Sequence, residues 1–200
     1  LTYKRIITEQ SRSSYFLIQE INHASSPEQL INIHSRLPGL LFEPIKSGAQ
    51  PEALTSLITT VADAVLEKVV DFAVENDGPP PCDFAFIIMG SEGRNEQTLK
   101  TDQDNAIIFE DLEDDEQREE AGRYFLDLAA DICGWLDQAG FDFCKGNNMA
   151  QNPEWCQPLA QWKKYFSGWI HAAGPEDLLK SSIFFDFRWG AGSPGLAVEL

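Results

Sequence analysis

Residues 84–110 read FAFIIMGSEGRNEQTLKTDQDNAIIFE. Residues 84–89 are a short, unbroken apolar run that stops at Gly90-Ser91, which predicts a buried strand rather than a helix. Residues 92–100 are polar and free of Pro, which predicts about two turns of helix. Residues 106–109 are apolar again, a second buried strand. Asp102 and Asp104 stand at the mouth of that strand. Side chains two apart on a strand share a face. Two carboxylates held side by side repel unless a cation lies between them. Oxygen ligands in this number suit Mg²⁺, which is commonly held by one or two carboxylates plus substrate phosphates. The Gly90-Ser91 turn opens a helix, and the unpaired amides of a helix start are a phosphate seat. Strand, turn, helix and strand together offer a phosphate cradle and a metal pair.

The bulk composition narrows the ligand. The chain has 200 residues, 32 acidic against 15 basic side chains, and a formal net charge of −17. Polynucleotide binders gain affinity by releasing counterions through a basic surface. No such surface is encoded, so nucleic acid is excluded as partner. Hydrophobic residues are 43% of the chain, ordinary for a globular domain. No apolar run reaches the ~20 residues of a membrane helix, so no membrane partner is expected. The four cysteines have no Cys-x-x-Cys spacing; reduced thiols and a cytoplasmic location are expected. The start LTYKRIITEQ lacks Met and an apolar signal segment, which predicts an excised piece of a longer protein.

Outside the central stretch, helices dominate. Ser26-Pro27-Glu28-Gln29 is a helix start with an N-cap and Pro at the first position. Leu54, Ile58, Val61, Val65, Val69 and Phe72 form one helical stripe after Pro51. Residues 1–76 are expected to be an N-terminal helical region, separated by Pro79-Pro80-Pro81 from a second domain over 82–200. His23 and His34 are read as surface or packing residues. Residues 110–120 carry eight acids in eleven positions, read as a solvated loop and helix start. That helix runs to Gly140. A short strand is predicted at 141–144, a turn-rich loop at 145–149, an aromatic-striped helix after Gln157-Pro158, a helical turn at 175–180 and a strand at 182–189. On that last strand Asp186 needs a partner, either a metal or Arg188.

The string GSEGR-x-EQTL-x-TDQDNA resembles the nucleotidyltransferase family related to the N-terminal domain of protein-PII uridylyltransferase, within the DNA polymerase β-like superfamily. The likeness runs from about Leu54 to Arg188. It implies an α/β fold, with a small mixed sheet of the polymerase β-like type, helices on one face and the N-terminal helical region in front. It implies NMP transfer from an NTP to a protein or small-molecule acceptor, with two Mg²⁺ ions, in bacterial signal transduction. By resemblance Asp102, Asp104 and Asp186 are the catalytic metal carboxylates, and Gly90 and Ser91 hold the β- and γ-phosphates. Arg94 either braces a phosphate or pairs with Glu96. Lys145 and Asn148 are expected to reach the triphosphate or sugar. Relatives are often fused to cyclic-nucleotide-binding and CBS domains, and the resemblance leads us to expect that their C-terminal helical region is truncated in this sequence. Gly-Ser stands where the uridylyltransferase has Gly-Gly, so the donor nucleotide is not carried over. The alternative reading is a non-catalytic nucleotide- and metal-binding regulatory module.

Overall fold

The structure, a computed structural model, describes residues 15–171 and 183–200. The helical turn expected at 175–180 and the first residue of the strand expected at 182–189 lie outside the described residues. Residues 15–22 are helical. They are followed by α1 (Pro27–His34), α2 (Leu37–Lys46), the long α3 (Pro51–Asp77), β1 (Phe84–Ile88), the one-turn α4 (Gly90–Gly93) and β2 (Asn105–Phe109). Then come α5 (Asp115–Ala139), a 3₁₀ turn (Pro153–Trp155), β3 (Cys156–Pro158), α6 (Leu159–His171), β4 (Arg188–Gly192) and α7 (Pro194–Glu199).

Local chemistry sets most of these boundaries. Ser26 Oγ accepts from the amide of Gln29 at 3.3 Å. Asp114 caps α5 through the amides of Glu116 and Gln117 at 2.9 and 3.0 Å, so part of the acidic run serves a helix start. Gly140 ends α5 with φ of 104°, a left-handed conformation that glycine adopts without a Cβ clash. The stripe on α3 is buried from Ile58 to Phe72. His34 Nδ1 donates to the Ala139 carbonyl at 2.9 Å, and the ring stacks on Phe141; burial lowers its pKa, in keeping with a packing residue.

The four strands form one mixed sheet in the order β3-β2-β1-β4. β1 pairs antiparallel with β2, from Phe84↔Phe109 to Ile88↔Asn105, and antiparallel with β4 on its other side. β3 runs parallel to β2. The sheet is thus α/β and mixed, as expected. Alternate residues of the central strands enter two cores. Phe84, Phe86, Ile88, Ile107 and Phe109 pack with α3 and α5. Ala85, Ile87, Met89, Ala106 and Ile108 pack with Trp155, Trp162, Phe166, Phe184 and Leu196. Both faces are covered, not one, which is why these strands read as unbroken apolar runs.

Three expected elements differ. Residues 92–100 are not a two-turn helix; α4 ends at Gly93, and Asn95 takes φ of 58°, which breaks a right-handed helix. Residues 141–144 are not a strand. They contribute one isolated parallel bridge, Asp142 with Asp102, and the third predicted strand is replaced by Cys156–Pro158. Three residues ending in Pro on a sheet edge carry no readable period. The last strand starts at Arg188, and Ile183 and Phe184 are helical. The aromatic alternation at 183–187 serves packing against α6: Phe184 stacks on Trp169, and Phe185 and Phe187 meet Phe166 edge-on. Gly190 and Gly192 also lie in β4. A Cβ on Gly192 would sit 2.3 Å from the Phe84 carbonyl, and one on Gly190 would sit 2.8 Å from Leu66 Cδ2.

Candidate functional site

The site forms where β1 ends. The β1–β2 ladder is continued by the Met89 amide donating to the Asp104 carbonyl at 2.9 Å. That bond brings Asp104 alongside the Gly90–Gly93 turn. Gly90 has φ of 61°, and a Cβ there would lie 2.8 Å from Asp104 Oδ2. A Cβ on Gly93 would lie 1.8 Å from the Asp186 carbonyl oxygen. Each glycine of the turn therefore has one predicted acidic residue packed on it, Asp104 by its side chain and Asp186 by its backbone. Because α4 has a single turn, its macrodipole is small. What it offers an anion is the set of first-turn amides at Gly90, Ser91 and Glu92, which lack an i−4 carbonyl within the helix.

Segment 102–105 splits by alternation. Gln103 and Asn105 turn inward and are each 1% exposed. Gln103 Nε2 donates to the carbonyls of Cys133 and Phe141 at 3.0 and 2.9 Å. Asn105 Nδ2 donates to Gln103 Oε1 at 3.3 Å, and Asn105 Oδ1 accepts from the Ala150 amide at 2.8 Å. Asp102 and Asp104 turn the other way. Asp104 Oδ1 is buried and has no hydrogen-bond partner among the described residues. Burial raises the Asp104 pKa, the charge on Asp102 raises it further, and a hydrogen bond from the Cys144 thiol opposes both.

The remaining predicted residues surround this point unevenly. Asp186 Oδ2 accepts from Arg94 Nη1 at 2.8 Å, and Arg94 Nε donates to Glu96 at 2.9 Å. Both pairs are largely exposed and add little stability. Among the described residues, no three His, Cys, Asp or Glu side chains converge in a metal-binding arrangement. The 144–150 loop borders the site: the Asn148 carbonyl accepts from the Asn105 amide at 3.1 Å, and Lys145 is exposed on the same loop.

Glu92, Gln97 and Asp63 escaped the sequence reading, and Arg188 has a partner other than the one expected. Glu92, within the turn, is buried, and Gln97 Nε2 donates to its Oε1. Arg188 Nε donates to the Glu92 carbonyl at 3.1 Å, and its terminal nitrogens reach both oxygens of Asp63 on α3 at 3.2 and 2.6 Å. The partner of Arg188 is thus Asp63, not Asp186. A charged residue in a polar, helix-like stretch gives no local sign that tertiary packing will bury it.

A family model described as "Putative nucleotidyltransferase DUF294" matches residues 35–176. The chain belongs to that family. The DUF294 match starts in the helices before the sheet and covers the turn, Asp102, Asp104 and the 144–150 loop; Asp186 lies beyond its end. A comparison with curated proteins finds no match. Among the described residues no helix is long and apolar enough to cross a membrane.

Proposed function

We propose that this domain transfers a nucleoside monophosphate from a Mg²⁺-bound NTP to a hydroxyl of a protein or small-molecule acceptor, in the manner of protein-PII uridylyltransferase and in bacterial signal transduction. The observation that carries the reading is the buried, partnerless Oδ1 of Asp104, whose carboxyl group packs on Gly90 through its other oxygen. A buried anionic oxygen without a partner is costly, and a hard cation satisfies it. The donor set fits: Asp102 and Asp104 supply carboxylate oxygens, and glycine at position 90 leaves space beside them. These two residues would hold Mg²⁺, with Asp186 completing the set once released from Arg94. Bound Mg²⁺ supplies charge neutralisation for the triphosphate and the departing pyrophosphate.

The chain's own groups do the rest. Amides of Gly90 and Ser91 receive the β- and γ-phosphates. Arg94 offers a guanidinium fork to the same oxygens. Lys145 and Asn148 approach from their loop to triphosphate or sugar. Asp186 orients the acceptor hydroxyl, whose oxygen bonds to the α-phosphorus as the α–β bridging P–O bond breaks. The hydroxyl proton passes to the Asp186 carboxylate and from there to solvent, and pyrophosphate departs. The acidic surface favours a protein or small acceptor over a polynucleotide.

The Arg94–Asp186 pair favours a second reading, a regulatory module that binds Mg-NTP without transfer. A thermal-shift panel of four NTPs, with and without Mg²⁺, separates the cases when followed by incubation of labelled NTP with cell extract. Mg²⁺-dependent stabilisation by one NTP, with pyrophosphate release and label on an acceptor, is the expected result. Stabilisation without transfer selects the regulatory module. No stabilisation by any NTP removes both.

A further inference from the structure

Glu92 lies behind the phosphate-facing turn at 8% exposure, and the reaction above makes no use of its carboxyl group. Its neighbours decide its charge. Arg188 on β4 is the cation that faces it, while Asp63 on α3 and Asp102 and Asp104 at the mouth of β2 face it as like charges. The guanidinium of Arg188 is committed elsewhere, to the Glu92 main-chain carbonyl and to both carboxylate oxygens of Asp63. The carboxyl itself meets Gln97, whose Nε2 donates to Glu92 Oε1. Gln97 is 1% exposed, and its own Oε1 is buried without a hydrogen-bond donor among the described residues. A primary amide that gives an N–H to one carboxyl oxygen, and lacks a donor for its carbonyl, is completed by a single proton on that carboxyl group.

We infer that Glu92 is a neutral carboxylic acid joined to Gln97 in an acid–amide pair of two hydrogen bonds, and that this uncharged pair positions the Gly90–Gly93 turn for a polyanionic ligand. An ionised Glu92 would leave two buried groups unsatisfied, its own charge and the Gln97 carbonyl. Burial, reinforced by the three facing carboxylates and opposed by Arg188, pushes the Glu92 pKa up to about 8. An ionised Glu92 would also set a negative charge under the amides that receive phosphate, and the neutral acid leaves their partial positive charge intact. The pair rests on the Gln97 amide donating to Glu92 and on the buried Gln97 carbonyl that lacks a donor among the described residues; its consequence for an anionic ligand rests on the nucleotide reading.

Glu92→Gln tests the pair, because an amide at 92 keeps the shape and replaces the acid O–H with an N–H. The folded pKa lies above the ordinary carboxyl value of 4.5. Between the two values the unfolded chain has released a proton that the folded chain keeps, so wild-type stability falls as pH rises from about 4.5 to about 8. In thermal unfolding from pH 5 to pH 9, E92Q should exceed wild type in Tm at pH 8, with the difference shrinking towards pH 5. A pH-independent difference, or an E92Q less stable at pH 8, overturns the pair. Infrared spectroscopy of the wild type needs no variant. A carboxylic-acid C=O band should persist at pH 7, shift in Gln97→Met and fade as pH rises through about 8; its absence at pH 7 overturns the pair. Calorimetric titration with Mg-ATP and Mg-UTP tests the positioning. Wild-type affinity should fall by up to about tenfold between pH 7 and pH 9, and that of E92Q clearly less. Equal falls overturn the positioning role. If the band and the stability difference hold while neither nucleotide binds, the nucleotide reading falls and the neutral pair stands.

Discussion

Gln103 and Asn105 on one side of the strand mouth, and Asp102 and Asp104 on the other, share a backbone and differ in how completely they are satisfied. The inward pair is 1% exposed at each position, and its amides and carbonyls bond to Cys133, Phe141, Ala150 and each other. The outward pair includes a buried carboxylate oxygen with no partner among the described residues. Groups that hold a fold together are satisfied by the chain itself, because an orphaned polar atom costs stability. A group left unsatisfied beside a glycine-walled space is available to something the chain does not supply.

The largest expected effect comes from breaking the inward side. Gln103→Leu strips the donor from two buried carbonyls and the acceptor from Asn105 Nδ2. At roughly 1–3 kcal/mol for each stranded group, after partial relaxation, it should cost about 3 kcal/mol in urea denaturation. A loss under ~1 kcal/mol would show that this network does not hold the acidic pair in place. Next is Gly90→Ala. Its methyl group would meet Asp104 Oδ2 at 2.8 Å on a backbone with φ of 61°. A cost of about 1–2 kcal/mol is expected in thermal unfolding, together with weaker Mg-NTP binding. An unstrained G90A would mean that the glycine is not what makes room beside the carboxylate.

The smallest effect on stability is expected for Asp104→Asn, within about 1 kcal/mol and in the stabilising direction. Burial holds the Asp104 pKa above its ordinary value. Wild-type stability from this group is therefore complete below the ordinary carboxylate range and lost as pH rises through the folded pKa. D104N should lack that loss, so its advantage should be seen at neutral pH and fade in acid. The same variant should abolish Mg²⁺-dependent nucleotide binding. A D104N destabilised at pH 7 would reveal a structural partner for the carboxylate, and the contrast between the two sides would fail.

The sequence by itself determined the elements whose signals are local. Two unbroken apolar runs flanking a glycine turn specify the central hairpin-like pair of strands, since a strand buried on both faces needs an apolar side chain at every position. Period-3.6 stripes, the Ser26 and Asp114 caps and Gly140 specify α1, α3 and α5, because caps and stripes act within a few residues of chain. Asp102 and Asp104 could be read as a pair because alternation is a property of the strand. Tertiary structure alone decided the rest. Cys156–Pro158 is a strand only because β2 offers it an edge. Gly190 and Gly192 lie in a strand because β1 passes too close for side chains. Asp186 rests on the turn, and Arg188 turns to Asp63, 125 residues away in sequence. Glu92 is buried only once α3, β4 and the mouth of β2 close around it. Whether a carboxyl group meets water, a cation or an amide is set by which distant segments fold against it, and no local pattern of residues carries that information.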